Sequence, residues 1–81
     1  MDCVELVEFL IKTLVKNPES VSIKQFDTDN DEIDIHVLVD KDEIGSVIGR
    51  GGAIANAIRT VVQAASYANG NKKVRINIDS F

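Results

Sequence analysis

The chain has 81 residues, enough for one domain with a modest core and too few for a second. Hydrophobic residues make up 44% and charged residues 27%, a balance that excludes a disordered or fibrous chain. A net charge of -4 argues, taken alone, against a polyanionic ligand, but the charge is unevenly spread. Residues 1–40 hold ten acids against three lysines, whereas residues 41–81 hold six basic residues against three acids.

Cys3 is the single cysteine, which excludes an internal disulfide and a cysteine-built zinc cluster and fits a reducing cytoplasm. Asp2, Glu5, Glu8 and Lys12 break any signal-peptide or membrane-spanning run near the N-terminus. A cytoplasmic protein with no membrane segment is expected.

Asp2 with Glu5 three residues on reads as a capping box. Val4, Val7, Leu10, Ile11, Leu14 and Val15 then recur at helical spacing, predicting an amphipathic helix that stops before Pro18. Val21 and Ile23 open a first strand, in which Phe26 breaks the strict period. The turn-forming cluster from Asp27 to Asp31 closes a hairpin with a second strand, in which Ile33, Ile35, Val37 and Val39 alternate with Asp34, His36 and Leu38.

Asp40, with Glu43 at N3, is expected to cap a short helix through Ile44, Val47 and Ile48 that ends at Gly49. A second, alanine-rich helix is predicted from Ala53 to about Tyr67, with Ile54, Ile58, Val61 and Ala65 on one face. After Asn69-Gly70-Asn71, Val74, Ile76 and Ile78 alternate with Arg75, Asn77 and Asp79 as a third strand. The order is helix, strand, strand, helix, helix, strand. It predicts an α+β fold, one domain over residues 1–81, with helices on one face of a three-stranded sheet.

The candidate site is Gly49-Arg50-Gly51-Gly52, with Ile48 before it. Glycines allow left-handed angles and a close approach by another backbone, and the segment feeds the N-terminus of a helix, where unpaired N-H groups attract an anion such as phosphate. Arg50 can engage a second phosphate, and Lys41 and Arg59 are expected within reach of the same strand. Ile48, Ala55 and Val62 are expected to supply an apolar floor for unstacked bases. Few aromatics argue against a stacking platform of the RRM or OB type.

The run Val47-Ile48-Gly49-Arg50-Gly51-Gly52-Ala53-Ile54 resembles the KH signature V-I-G-x-x-G-x-x, and the element order is similar to that of the bacterial, type II KH domain. Length, Asn17-Pro18, Gly45 and the segment Ala57-Ile58-Arg59-Thr60-Val61-Val62 resemble the KhpA family of small single-KH-domain bacterial RNA-binding proteins. The resemblance implies a GXXG-loop clamp at Gly49, Arg50, Gly51 and Gly52 on single-stranded RNA. It also implies an RNA-chaperone role tied in some members to cell elongation and cell-wall synthesis. Partners implied are a second copy, giving a homodimer, or a larger KH-domain protein, giving a heterodimer. Many KH loops carry two basic or polar residues between the outer glycines, whereas here one of the two is a glycine.

Other readings are weaker. A Rossmann fingerprint follows a strand and needs a glycine where Ile54 stands, and no Gly-Lys-Ser/Thr follows for a Walker loop. His36 reads as a structural or surface residue, Cys3 as packing, and the Asp27 to Asp34 acids as a solvated turn lacking the EF-hand pattern. Lys72, Lys73 and Arg75 serve equally well as added positive surface or as charges that protect an edge strand. Ile54 and Val62 stay open between core, groove and dimer seam. No catalytic set has the required spacing, so neither an enzyme, a small-molecule substrate, a cofactor nor a metal is expected. The alternative to RNA clamping is a KH-fold assembly partner with incidental RNA binding.

Overall fold

A computed structural model describes residues 2–28, 32–70 and 73–81. Helix α1 spans Cys3–Leu14 and is started by the expected capping box. The Asp2 carboxylate accepts from the Glu5 N-H at 2.8 Å, and the Glu5 carboxylate accepts from the Asp2 N-H at 3.1 Å. The chain leaves the helix at Val15, and Pro18 opens a short 3-10 turn, where its missing N-H costs nothing.

Strands β1 (Ser22–Asp27) and β2 (Glu32–Val39) pair antiparallel, with Ile23 opposite Val37 and Phe26 opposite Asp34. Of the Asp27 to Asp31 turn, Asp29, Asn30 and Asp31 lie outside the described residues. Helix α2 (Ile44–Ile48), helix α3 (Ala53–Asn69) and strand β3 (Lys73–Ser80) follow. Strand β3 pairs parallel with β2, Ile35 opposite Ile76, so the sheet order is β1-β2-β3. Parallel neighbours need a crossover, and here α2, the glycine segment and α3 form it.

The alternation of β2 decides the layers. Ile35, Val37 and Val39 are buried against the helices with Val7 and Ile11 of α1, Val47 of α2 and Val62 of α3. Each contributes roughly 1.5–3 kcal/mol by leaving water. His36 and Leu38 point to the opposite face, joined from β1 by Phe26, whose ring meets the His36 ring edge-on with centroids 5.0 Å apart. The period broken at Phe26 is thus a side chain on the solvent side of the sheet, half of it exposed.

Two local expectations are corrected. Asp40 does not cap α2: its carboxylate accepts from Asp42 N-H at 2.9 Å and its carbonyl from Glu43 N-H at 2.8 Å, making a turn that precedes the helix. The Glu43 carboxylate instead accepts from Lys16 N-H at 2.5 Å, tying the end of α1 to the start of α2. Second, the face of α3 packed on the sheet carries Ala55, Ile58, Val62 and Ser66, not the expected Ile54, Ile58, Val61 and Ala65, and Val61 is half exposed. An alanine-rich helix is apolar on several faces, and the face with small Ala55 and Ser66 lets it lie close to the strands. This helix also runs to Asn69, two residues beyond the expected end.

Candidate nucleic-acid interface

The corner of the crossover is built from glycine. Gly49 ends α2 at φ 77°, and Gly51 and Gly52 follow at φ 63° and 81°, angles that side chains disfavour. These three left-handed residues turn the chain from α2 into α3 in a single bent 3-10 turn over Arg50–Gly52. At Gly49 the reason is also space, because an added Cβ would lie 2.7 Å from Ile54 Cγ1 and 2.9 Å from Ile54 N. Around Gly51 nothing lies within 4 Å of such a carbon, so the loop is open on that side.

The expectation of free amides at the helix start holds for part of the loop. Gly49 N-H donates to Gly45 O at 3.0 Å, Gly52 N-H to Gly49 O at 3.1 Å, and Ala53 N-H to Arg50 O. The N-H groups of Arg50 and Gly51 make no such bond to a described residue, and both residues are exposed. An anion at the loop would therefore meet these two amides, the Arg50 guanidinium and the positive end of the 17-residue α3 dipole.

Beyond the loop, α3 runs antiparallel beside β3 and turns the stripe Arg59, Gln63, Tyr67 toward the open edge of that strand. Arg59 donates from Nη1 to Asn56 Oδ1 at 3.1 Å and from Nε to the Ile76 carbonyl at 3.3 Å. Gln63 Oε1 accepts from Val74 N-H at 3.0 Å. Side chains of α3 thus occupy backbone groups that an edge strand would otherwise leave bare. Between helix and strand lies an open groove of about 800 Å³, lined by Arg59, Gln63, Tyr67, Val74, Arg75 and Ile76 among others.

The predicted site residues divide accordingly. Ile48, Gly49, Arg50, Gly51 and Gly52 form one continuous corner, with Ile48 half-buried, and Arg59 stands along the groove that leaves it. Lys41 lies in the turn before α2, at the end of that helix away from the loop, between Asp40 and Asp42. Ala55 and Val62 are buried to 1% and 0% exposure and belong to the core, so they cannot form the expected floor. Lys73 and Arg75 sit on the solvent side of β3, where Arg75 Nε lies 3.8 Å from Glu32 Oε2, and Lys72 lies outside the described residues. Sequence reasoning missed Gln63, Tyr67 and Asp34 as groove residues. For the first two, the helical spacing from Arg59 was the available signal.

The family model for the KhpA/KhpB KH domain matches residues 4–78, which reach from α1 into β3. The chain belongs to this family. The chain is 40% identical over 73 residues to the RNA-binding protein KhpA of Oceanobacillus iheyensis, covering 90% of this chain and 95% of that one. It is 43% identical over 74 residues to the protein of the same name from Clostridium perfringens, covering 91% and 96%. It is also 40% identical over 80 residues to that of Streptococcus pneumoniae serotype 4, covering 98% of each.

Among solved structures, Era from Aquifex aeolicus in a GDP-bound form superimposes with a TM-score of 0.70 at 16% identity. The match covers 98% of this chain and 30% of that one. Era in complex with nucleotides 1506-1542 of 16S ribosomal RNA gives 0.67 at 17% identity over 96% and 29%. The chain spans about a third of Era, and at this identity the likeness establishes the KH fold alone. No helix among the described residues is long and apolar enough to cross a membrane.

Proposed function

We propose that this KhpA/KhpB-family chain binds single-stranded RNA, holding about four nucleotides with phosphates at the glycine loop and bases along the α3–β3 groove. The observation that carries this reading is the pair of N-H groups at Arg50 and Gly51 that make no backbone bond to a described residue, presented on an open corner at the start of α3. Names of relatives at about 40% identity support it, since they are called RNA-binding proteins. Contacts made by backbone and guanidinium to phosphate carry no sequence information. Low specificity follows, which suits an RNA chaperone in the cytoplasm.

The test is the double substitution Arg50→Asp with Gly51→Asp. Aspartate tolerates left-handed angles better than most residues, and the space around Gly51 is empty, so the fold should survive. Binding of a fluorescein-labelled random-sequence RNA, read by anisotropy, should vanish. Undiminished affinity in a folded double variant would refute the clamp.

Assembly is a second reading with an observation of its own. The face of α3 turned away from both core and groove exposes Ala57, Val61 and Ala68, with Val61 half exposed. Small side chains let another helix approach closely, so a second copy, or the KH domain of a larger protein, can pack there in a homodimer or heterodimer. Sedimentation of the wild type against Val61→Arg, with and without RNA, tests it. A wild-type monomer at all concentrations would exclude the homodimer.

A further inference from the structure

We infer that Tyr67 is a base-stacking residue that extends the RNA track past the nucleotides held at the glycine loop. The inference rests on the RNA-clamp reading above and adds to it a second contact point at the far end of the groove.

Tyr67 is the last member of the stripe that α3 turns toward β3. Arg59 and Gln63, the two residues before it on that stripe, are engaged by the strand through the Ile76 carbonyl and the Val74 N-H. Tyr67 is not. Its hydroxyl makes no hydrogen bond to a described residue, and 52% of its surface is exposed although it borders a groove it could have filled. A large amphipathic ring left half in water, with an apolar face and no polar partner, is suited to receive a flat apolar surface.

The surroundings say which flat surface. The groove that Tyr67 closes is lined by two guanidinium groups, those of Arg59 and Arg75, against the single carboxylate of Asp34. Arg75 is 63% exposed at its side chain, and its contact with Glu32 is a long one of 3.8 Å through Nε, which leaves the Nη groups to face solvent. An aromatic face beside cationic side chains is how single-stranded nucleic acid is held without sequence preference, the base on the ring and the phosphate on the guanidinium.

The position fits the same strand rather than a separate ligand. Tyr67 is fifteen residues from Gly52, roughly 22 Å along the axis at the helical rise. Phosphates held at the Arg50 and Gly51 amides and a base on Tyr67 therefore belong to different nucleotides of one strand that follows the groove. Arg59 stands between them.

The sequence makes the test direct, because Tyr67 is its only tyrosine and there is no tryptophan. Biosynthetic 3-fluorotyrosine places one 19F nucleus in the protein, at this ring. Random-sequence RNA pools of about four nucleotides and of about twice that length are titrated into the labelled protein, with anisotropy of the same pools read in parallel. The longer pool should shift the 19F resonance, and it should bind more tightly than the shorter. In Tyr67→Ala that gain should fall about tenfold, and Tyr67→Trp should restore it.

If both pools bind while the resonance stays fixed and Tyr67→Ala keeps the full length-dependent gain, the stacking role is overturned and the loop clamp stands. Failure of the wild type to bind either pool overturns both. A 19F shift on raising protein concentration without RNA would assign the ring to a protein contact instead, and would also overturn it.

Discussion

Gly49 and Ile54 stand so close that a β-carbon on the glycine would lie 2.7 Å from Ile54 Cγ1. Ile54 belongs to the first turn of α3 and its own nitrogen lies 2.9 Å from the same point, so backbone as well as side chain would have to move. With φ at 77°, alanine there meets both a steric and a conformational penalty. Gly49→Ala should cost about 2–3 kcal/mol and lower the melting temperature by roughly 10 °C, read by circular dichroism. A melting point within the error of wild type would mean that the corner can shift freely.

Gly45 makes the opposite case. It lies inside the five-residue helix α2, has helical geometry, and nothing lies within 4 Å of an added Cβ. Gly45→Ala should therefore stabilise the protein by about 0.5–1 kcal/mol. Urea titration should show a higher midpoint at an unchanged slope. A lower midpoint would show that α2 needs a bend at this residue that its present geometry does not reveal.

Arg59 combines two duties that can be separated by comparison with Gln63. Both side chains cover backbone groups of β3, but Arg59 alone adds positive charge to the groove. Arg59→Ala should weaken RNA binding about tenfold and lower the salt dependence of log K by about one contact. Gln63→Ala should reduce stability and leave that slope as it was. Equal salt slopes for wild type and Arg59→Ala would remove Arg59 from the phosphate track.

Glu43 links α1 to α2 through the Lys16 N-H, while its other carboxylate oxygen, Oε2, is buried without a hydrogen-bond partner among the described residues. Loss of the bond in Glu43→Ala is offset in part by release of that unsatisfied oxygen, so a net cost of only about 1 kcal/mol is expected. Amide hydrogen exchange gives the sharper readout, with Lys16 exchanging faster in the variant. Unaltered protection of Lys16 would mean that its amide is sheltered by packing rather than by the carboxylate.

The order of elements, the strand faces and the glycine corner were legible because each depends on neighbours in the chain. Period-two alternation at Ile33 to Val39 and at Val74 to Ile78 assigns each side chain to a face of the sheet. Gly49, Gly51 and Gly52 mark where the backbone takes angles closed to other residues. The capping box at Asp2 and Glu5 likewise needs only the local chain.

What the chain alone left open was the rotation of α3 and everything that follows from it. Hydrophobicity does not distinguish one face of an alanine-rich helix from the next, so Val61 and Val62 exchange roles until the sheet is present to take the closer-packing face. That choice buries Ala55 and Val62, turns Arg59, Gln63 and Tyr67 to the edge of β3, and leaves Val61 outside. Contacts such as Arg59 to Ile76 join residues seventeen apart, and they exist only because β3 returns beside the helix. Local sequence thus determined where the corner is, and packing of α3 against β3 and α1 decided what leads away from it.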